Sequence, residues 1–118
     1  MMRPGEGVEV YLCRECIDMR KSINGLSVLV EEALGLDPFA PRLFVFCNRK
    51  RDKIKILYWE RTGFVLWYKR LEKYRFAWPL SGEGEIVTLR GRELNWLLDG
   101  IDVFAMHPHE EISFETVL

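Results

Sequence analysis

The chain has no long hydrophobic run. Its longest apolar stretches are Leu43–Cys47, Ile56–Trp59 and Phe64–Tyr68, far below the roughly 20 residues that a helix needs to span a bilayer. No membrane partner is therefore expected. Met1-Met2-Arg3-Pro4-Gly5-Glu6-Gly7 lacks the apolar core of a signal peptide, so a cytoplasmic location is the expectation. Cysteine is scarce, and three is an odd number, which argues against a secreted disulfide scaffold. With two histidines in all, acid–base or metal chemistry has little to draw on. No glycine-rich phosphate loop, dinucleotide turn or nucleophile elbow occurs, and the carboxylates are scattered. A catalytic centre is therefore not expected, nor is a cofactor. Low-complexity blocks, internal repeats and long linkers are also missing, so the 118 residues are expected to form one domain, with an acidic tail from about 105 to 118.

What the chain does have is charge sorted by position. Between Arg42 and Arg75 eleven basic residues face only Asp52, Glu60 and Glu72, a net of +8, while residues 1–41 carry −3 and residues 76–118 carry −6. The overall net charge of −1 hides this separation. The same segment holds eight of the fifteen aromatic residues, so stacking can accompany electrostatic attraction. Such a strip suits phosphates or an acidic protein surface.

Val8–Leu12 reads as a strand. Asp18 is a candidate N-cap for a helix from Met19 to about Leu34, with Ile23, Leu26, Val30 and Leu34 on one apolar face and Gly35 as its stop. Gly25 inside that helix suggests close packing. Arg42–Asn48, Lys53–Glu60 and Gly63–Arg70 read as strands joined by turns short enough to make antiparallel neighbours. Arg75–Trp78 and Glu85–Leu89 are further short strands. Thr88 is a candidate cap for a second helix to about Asp99, burying Leu94, Leu97 and Leu98 and ending at Gly100. The expected fold is α+β: a twisted antiparallel meander, able to curl, with a helix on one face and a short C-terminal helix.

Pairing Asn48 with Lys53 and Glu60 with Phe64 divides the meander into two faces. One holds Leu43, Val45, Cys47, Ile54, Ile56, Tyr58, Phe64, Leu66 and Tyr68, and should bury against the first helix. The other holds Phe44, Phe46, Lys53, Lys55, Leu57, Trp59, Val65, Trp67 and Lys69, a mixed surface able to accept nucleic acid. A first loop longer by one residue would shift the first strand's faces relative to the others.

The basic turn Arg49-Lys50-Arg51, with Lys53 behind it, can enter a DNA groove or follow a phosphate backbone. It can equally be a solvated turn whose charges protect sheet edges. Cys13-Arg14-Glu15-Cys16 lies between a strand and a helix, as a redox pair would, but a meander does not supply the thioredoxin context. Inert, partly buried thiols are the expectation there. Zinc would need Cys13, Cys16 and Cys47 to meet His107 or His109. His107-Pro108-His109 reads more simply as part of a surface tail.

Six segments in order resemble one bacterial family: Asp18-Met19-Arg20-Lys21-Ser22 with Gly25-Leu26; Leu43-Phe44-Val45-Phe46 with the basic turn; Lys53-Ile54-Lys55-Ile56-Leu57-Tyr58-Trp59; Tyr68-Lys69-Arg70-Leu71-Glu72; Phe76-Ala77-Trp78-Pro79; and Leu98-Asp99-Gly100-Ile101-Asp102. Over about residues 8–104 the chain is similar to the TnpB-type accessory protein, the second open-reading-frame product, of insertion-sequence family sixty-six. The resemblance implies a small protein encoded beside a separate DDE-type transposase and required for transposition, with no established biochemical activity and no family catalytic residues to carry over.

The expectation is a non-catalytic accessory factor that binds transposon DNA or the transposition nucleoprotein complex. Arg49, Lys50, Arg51, Lys53, Lys55, Lys69, Arg70 and Lys73 would neutralise phosphates, Arg20 and Lys21 would add contacts, and Trp59 or Trp67 would stack on a base. The alternative is an adaptor that docks the basic strip on the transposase without touching DNA. An enzyme with an unrecognised site around Asp18 and Arg20 is a third class.

Overall fold

The computed structural model describes residues 3–105. His107 and His109, and with them the expectations for the tail, lie outside the described residues. Five strands form one open sheet: β1 (Glu9–Cys13), β2 (Leu43–Cys47), β3 (Lys53–Glu60), β4 (Gly63–Arg70) and β5 (Ile86–Arg90), in the spatial order β4-β3-β2-β1-β5. The helices are α1 (Ile23–Val28), which runs into a π-helical turn at Leu29–Ala33, and α2 (Gly91–Leu98). This is the expected α+β class. The sheet is mixed, however, because β1 and β2 run parallel, with Val10 opposite Leu43 and Leu12 opposite Val45. The cause is the connection: a crossover carrying a helix returns the chain to the same end of the sheet, which permits parallel pairing.

The strands of the meander form where alternating β-branched and aromatic residues predict them. Its first turn has the expected register, with Cys47 opposite Ile54 and the Asn48 amide donating to the Lys53 carbonyl at 3.3 Å. The second turn does not. Glu60 pairs with Gly63 rather than Phe64, leaving a two-residue turn, Arg61-Thr62. Arg61 adopts φ 49 there, a left-handed conformation uncommon for a residue other than glycine. A one-residue shift transfers every β4 side chain to the opposite face. Phe64, Leu66 and Tyr68 thus lie with Trp59, Leu57 and Lys55, while Val65, Trp67 and Lys69 lie with Tyr58, Ile56 and Ile54.

Both faces are covered, which corrects the expectation of one open mixed face. Val10, Leu12, Val45, Ile54, Ile56 and Leu89 pack with Leu94, Leu97 and Leu98 of α2 and with Phe76 and Trp78. The opposite face, around Phe44, Phe46 and Leu57, is buried under Leu26 and Val30. The first helix therefore lies on the face opposite to the one expected. Phe44, Phe46 and Leu57 suffice to make that face apolar, and its lysines sit at the rim.

The first helix begins later than predicted. Asp18 caps nothing; its Oδ1 accepts from the Arg20 amide in a turn, and Ser22 holds the N-cap position without a side-chain bond. The π turn is marked by Leu34 N–H donating to the Leu29 carbonyl at 3.1 Å, and Gly35 closes the element at φ 65. Gly25 permits no close approach of another element, because a Cβ there would meet only the Lys21 side chain. Residues 75–78 are irregular rather than a strand. Thr88 sits within β5. Arg90 is the N-cap of α2, where the buried Glu93 accepts its amide at 3.0 Å.

Candidate nucleic-acid interface

The basic turn is built from Asn48 outward. Asn48 Oδ1 accepts from the amides of Asp52 (3.1 Å) and Lys53 (3.0 Å), and Nδ2 donates to Asp52 Oδ1 at 2.7 Å. The Arg51 amide returns to the Asn48 carbonyl, with Arg51 at φ 60. These bonds fix the turn and turn Arg49 and Lys50 toward solvent. Asn48 and Lys53 hold the Asp52 carboxyl below the usual carboxylate range.

A second segment docks on this turn. Leu71 N–H donates to the Asp52 carbonyl at 2.7 Å, and Phe76 N–H to the Arg51 carbonyl at 2.6 Å. Phe76 is buried and anchors the segment. Between these two points the chain loops outward, exposing Lys73, Tyr74 and Arg75. Lys50, Lys73, Tyr74 and Arg75 line one shallow depression of about 150 Å³ together with Asp52 and Glu72. Tyr74 is 77% exposed. Its position between two exposed cations makes it an available stacking platform. Lys73 and Arg75 belong to the basic strip legible in the sequence; Tyr74 does not stand out there, although the triplet Lys73-Tyr74-Arg75 carries the signal of an aromatic between two cations.

Around the rim, Lys53 pairs across strands with Arg70, and Lys55 with Tyr68. Arg20, Lys53, Lys55 and Tyr68 line a broad open depression of about 700 Å³ with Asp18 and Met19. Its charges are partly engaged. Lys55 Nζ donates to the carbonyls of Met19 (2.7 Å) and Lys21 (2.8 Å), so it fastens the approach to α1. Arg20 pairs with Asp18 at 2.6 Å and holds that carboxyl down to about 2. Arg70 pairs with Glu72 at 2.8 Å, and Lys53 with Asp52 at 3.4 Å. Lys21 is exposed beside this depression.

Three candidate residues lie elsewhere. Lys69 is on the opposite face from Lys55, with Nζ donating to the Leu98 carbonyl at the end of α2 at 2.9 Å. Trp67 shares that face and packs against the core. Trp59 lies with Phe39 and Phe64 in an aromatic cluster, at centroid distances of 4.9 and 5.0 Å. It is six residues along β3 from Lys53, roughly 20 Å at the strand rise. The register that placed Trp67 beside Lys53 and Lys55 is thereby corrected, while Trp59 keeps their face but lies at its far end.

The cysteine pair has a structural reading. Cys13 and Cys47 are buried, and burial pushes their thiols up to about 11 and about 12. That is the reverse of an activated thiolate. Arg14, between the cysteines, reaches the carbonyls of Pro79, Ser81, Glu83 and Gly84. Among the described residues no group of three or more histidine, cysteine, aspartate or glutamate side chains is placed to hold a metal. Nor is any helix among them long and apolar enough to cross a membrane.

Fold and surface together define a small α+β protein with an open mixed sheet, a helix on each face and a cationic end. Comparison of sequences supplies its kinship. The family model described as IS66 Orf2 like protein matches residues 8–108, and the chain belongs to that family. It is thus an insertion-sequence-associated accessory protein, of a family not known to be catalytic. It is 36% identical to the uncharacterized protein y4hO of Sinorhizobium fredii (strain NBRC 101917 / NGR234), with 93% of each chain covered. It is 31% identical to the uncharacterized protein y4jC of the same strain, with 86% of each covered. No solved structure matches the chain significantly.

Proposed function

We propose that this accessory protein binds the DNA of its insertion sequence through the cationic end of the sheet. The observation that carries the reading is the convergence of Arg49, Lys50, Lys73, Arg75 and the exposed Tyr74 on one end, although turn and outer segment are far apart in sequence. Phosphates would be neutralised there, and Arg20, Lys21, Lys53 and Arg70 would extend the contact along the rim. Lys55 serves mainly by holding the backbone before α1, and Arg51 would join the phosphate contacts from the turn. Tyr74 takes the stacking role that the sequence reading gave to Trp59 or Trp67. The transposase encoded by the same element would meet the protein on that DNA.

Carboxylates within the patch favour a second reading. Asp18, Asp52 and Glu72 each pair with one of the cations, and such alternation also suits docking on a protein surface. Here the partner would be the transposase itself, without DNA contact.

Fluorescence anisotropy separates the two. Labelled transposon-end DNA and a scrambled duplex are titrated at several salt concentrations, beside an Arg49→Ala/Lys50→Ala/Lys73→Ala/Arg75→Ala variant. Phosphate contact predicts a log–log salt slope of about −0.9 per phosphate neutralised, and a flatter slope in the variant. Absence of binding at low salt by the folded protein would transfer the reading to the transposase.

A further inference from the structure

The far edge of the sheet carries a separate feature. β4 is an edge strand of eight residues, Gly63–Arg70. Among the described residues no backbone bond from another element reaches its outer side. Edge strands are ordinarily protected by proline, a bulge, central charges or a covering element. From Gly63 to Tyr68 there is no proline or charge, and the pairing with β3 is continuous. The cations at its end do not guard the middle, since Lys69 is turned to Leu98 and Arg70 to Glu72. Tyr68 is 49% exposed on this edge.

We infer that β4 pairs antiparallel with β4 of a second copy of this chain, about a two-fold axis at Leu66. The two-residue turn makes Glu60 and Gly63 the first hydrogen-bonded pair. Alternation then turns the N–H and C=O groups of Phe64, Leu66 and Tyr68 outward. Centred on Leu66, this register sets Leu66 opposite its own copy, Phe64 opposite Tyr68, and Val65 opposite Trp67. Each pair is apolar, and aromatic and β-branched partners are those that stabilise cross-strand contacts. Tyr68 of the second copy would join the cluster of Phe39, Trp59 and Phe64, in which Phe39 is otherwise 51% exposed. Lys69 meets only Gly63. Shifting the axis to Trp67 would instead set Arg70 on Phe64 and Lys69 on Val65. A parallel pairing would stack Lys69 on Lys69. The Leu66-centred arrangement satisfies the edge with an apolar partner at each central pair and no cation set against an apolar side chain or another cation, and it closes as a two-fold dimer. The cationic ends project from opposite ends of the pair, so their repulsion does not oppose it.

This inference does not depend on DNA binding and is tested without DNA. Sedimentation velocity of the full chain over a concentration series should show a species of twice the 14.0 kDa monomer mass. Tyr68→Lys should weaken association about tenfold, since two symmetric aromatic pairs are lost. Leu80→Lys, exposed on the loop around Arg14 across the sheet from β4, should leave it unchanged. Amide exchange of the native chain gives a readout that no variant's folding can confuse. Leu66 and Tyr68 amides should gain protection as concentration rises, while those of Val65 and Trp67 stay protected throughout. A monomer at every concentration would overturn the inference, as would a dimer without concentration-dependent protection at Leu66 and Tyr68.

Discussion

A Cβ placed on Gly82 would lie 2.6 Å from Nη1 of Arg14. Gly82 itself has φ 121, and the loop of which it is part wraps the guanidinium. Nε donates to the Gly84 carbonyl at 2.9 Å, Nη1 to Pro79 at 3.0 Å and Ser81 at 2.5 Å, and Nη2 to Glu83 at 2.9 Å. A single side chain thus organises a segment that has no regular structure of its own. The neighbouring Arg14 N–H donates to the Glu85 carbonyl and leads into the β1–β5 pairing.

Two substitutions follow from that contact. Arg14→Ala leaves these carbonyls to water, so its cost should be about 1–2 kcal/mol rather than the sum of its bonds. Gly82→Ala should cost a similar amount, since the left-handed backbone and the guanidinium both oppose a Cβ. Urea denaturation reads both. Faster amide exchange confined to residues 79–85 would separate loosening of this loop from general destabilisation.

Gly91 makes the same kind of demand at the start of α2. A Cβ there would overlap the carbonyl oxygen of Gly5. That carbonyl belongs to an N-terminal arm held by Arg3–Asp99 at 2.8 Å and by Asn95 Nδ2 donating to the Pro4 carbonyl at 3.0 Å. Gly91→Ala should therefore expel the arm or distort the first turn of α2, at about 1–3 kcal/mol, as overpacking does. Amide exchange at residues 5–8 should accelerate together with a fall in the melting temperature. An unchanged melting temperature would mean that the arm adjusts freely.

The buried thiols predict how stability responds to alkali. Cys13 and Cys47 are raised from 9.0 to about 11 and about 12, chiefly by burial. Between pH 9 and 11 both thiols ionise in the unfolded chain and remain protonated in the folded one. Unfolding then releases protons, so stability is fully present below pH 9 and falls above it. The slope is about 1.4 kcal/mol per pH unit for each thiol. Urea midpoints from pH 8 to 11 should decline, and a Cys47→Ala variant should decline less steeply. Below pH 9 a thiol reagent should label Cys16 first, because Cys16 is only half-buried and lines a cleft of about 300 Å³.

The three meander strands were legible because alternation and short turns are local signals, and so was the buried trio Leu94, Leu97 and Leu98. The faces were not. In Glu60-Arg61-Thr62-Gly63-Phe64 the glycine invites the left-handed turn position, yet Arg61 takes the positive φ and Gly63 pairs in the strand. That one-residue difference moved Trp67 and Lys69 to the far face. The parallel pairing of β1 with β2 was hidden because it depends on where α1 docks, a tertiary matter. The cationic end was legible as composition. Its membership was not, because the docking of residues 71–76 depends on backbone bonds to Asp52 and Arg51.

Asn48 separates charge from shape at that end, and so provides a test of its geometry. Its side chain makes three hydrogen bonds across the turn but carries no charge. Asn48→Ala keeps every cation and removes the frame that presents Arg49 and Lys50. It should cost about 1–3 kcal/mol in stability, since the amides of Asp52 and Lys53 lose their acceptor. If DNA is read by a preformed turn, affinity should fall several-fold while the salt slope stays that of the native protein, because the number of phosphates neutralised is unchanged. If the turn acts only as a cloud of charge, affinity should hold. Glu72→Gln provides the opposite change, releasing Arg70 from its partner at 2.8 Å. It should tighten DNA binding and steepen the salt slope by nearly one unit. Unchanged affinity and slope in Glu72→Gln would show that Arg70 reaches no phosphate and would confine the contact to the turn and residues 73–75.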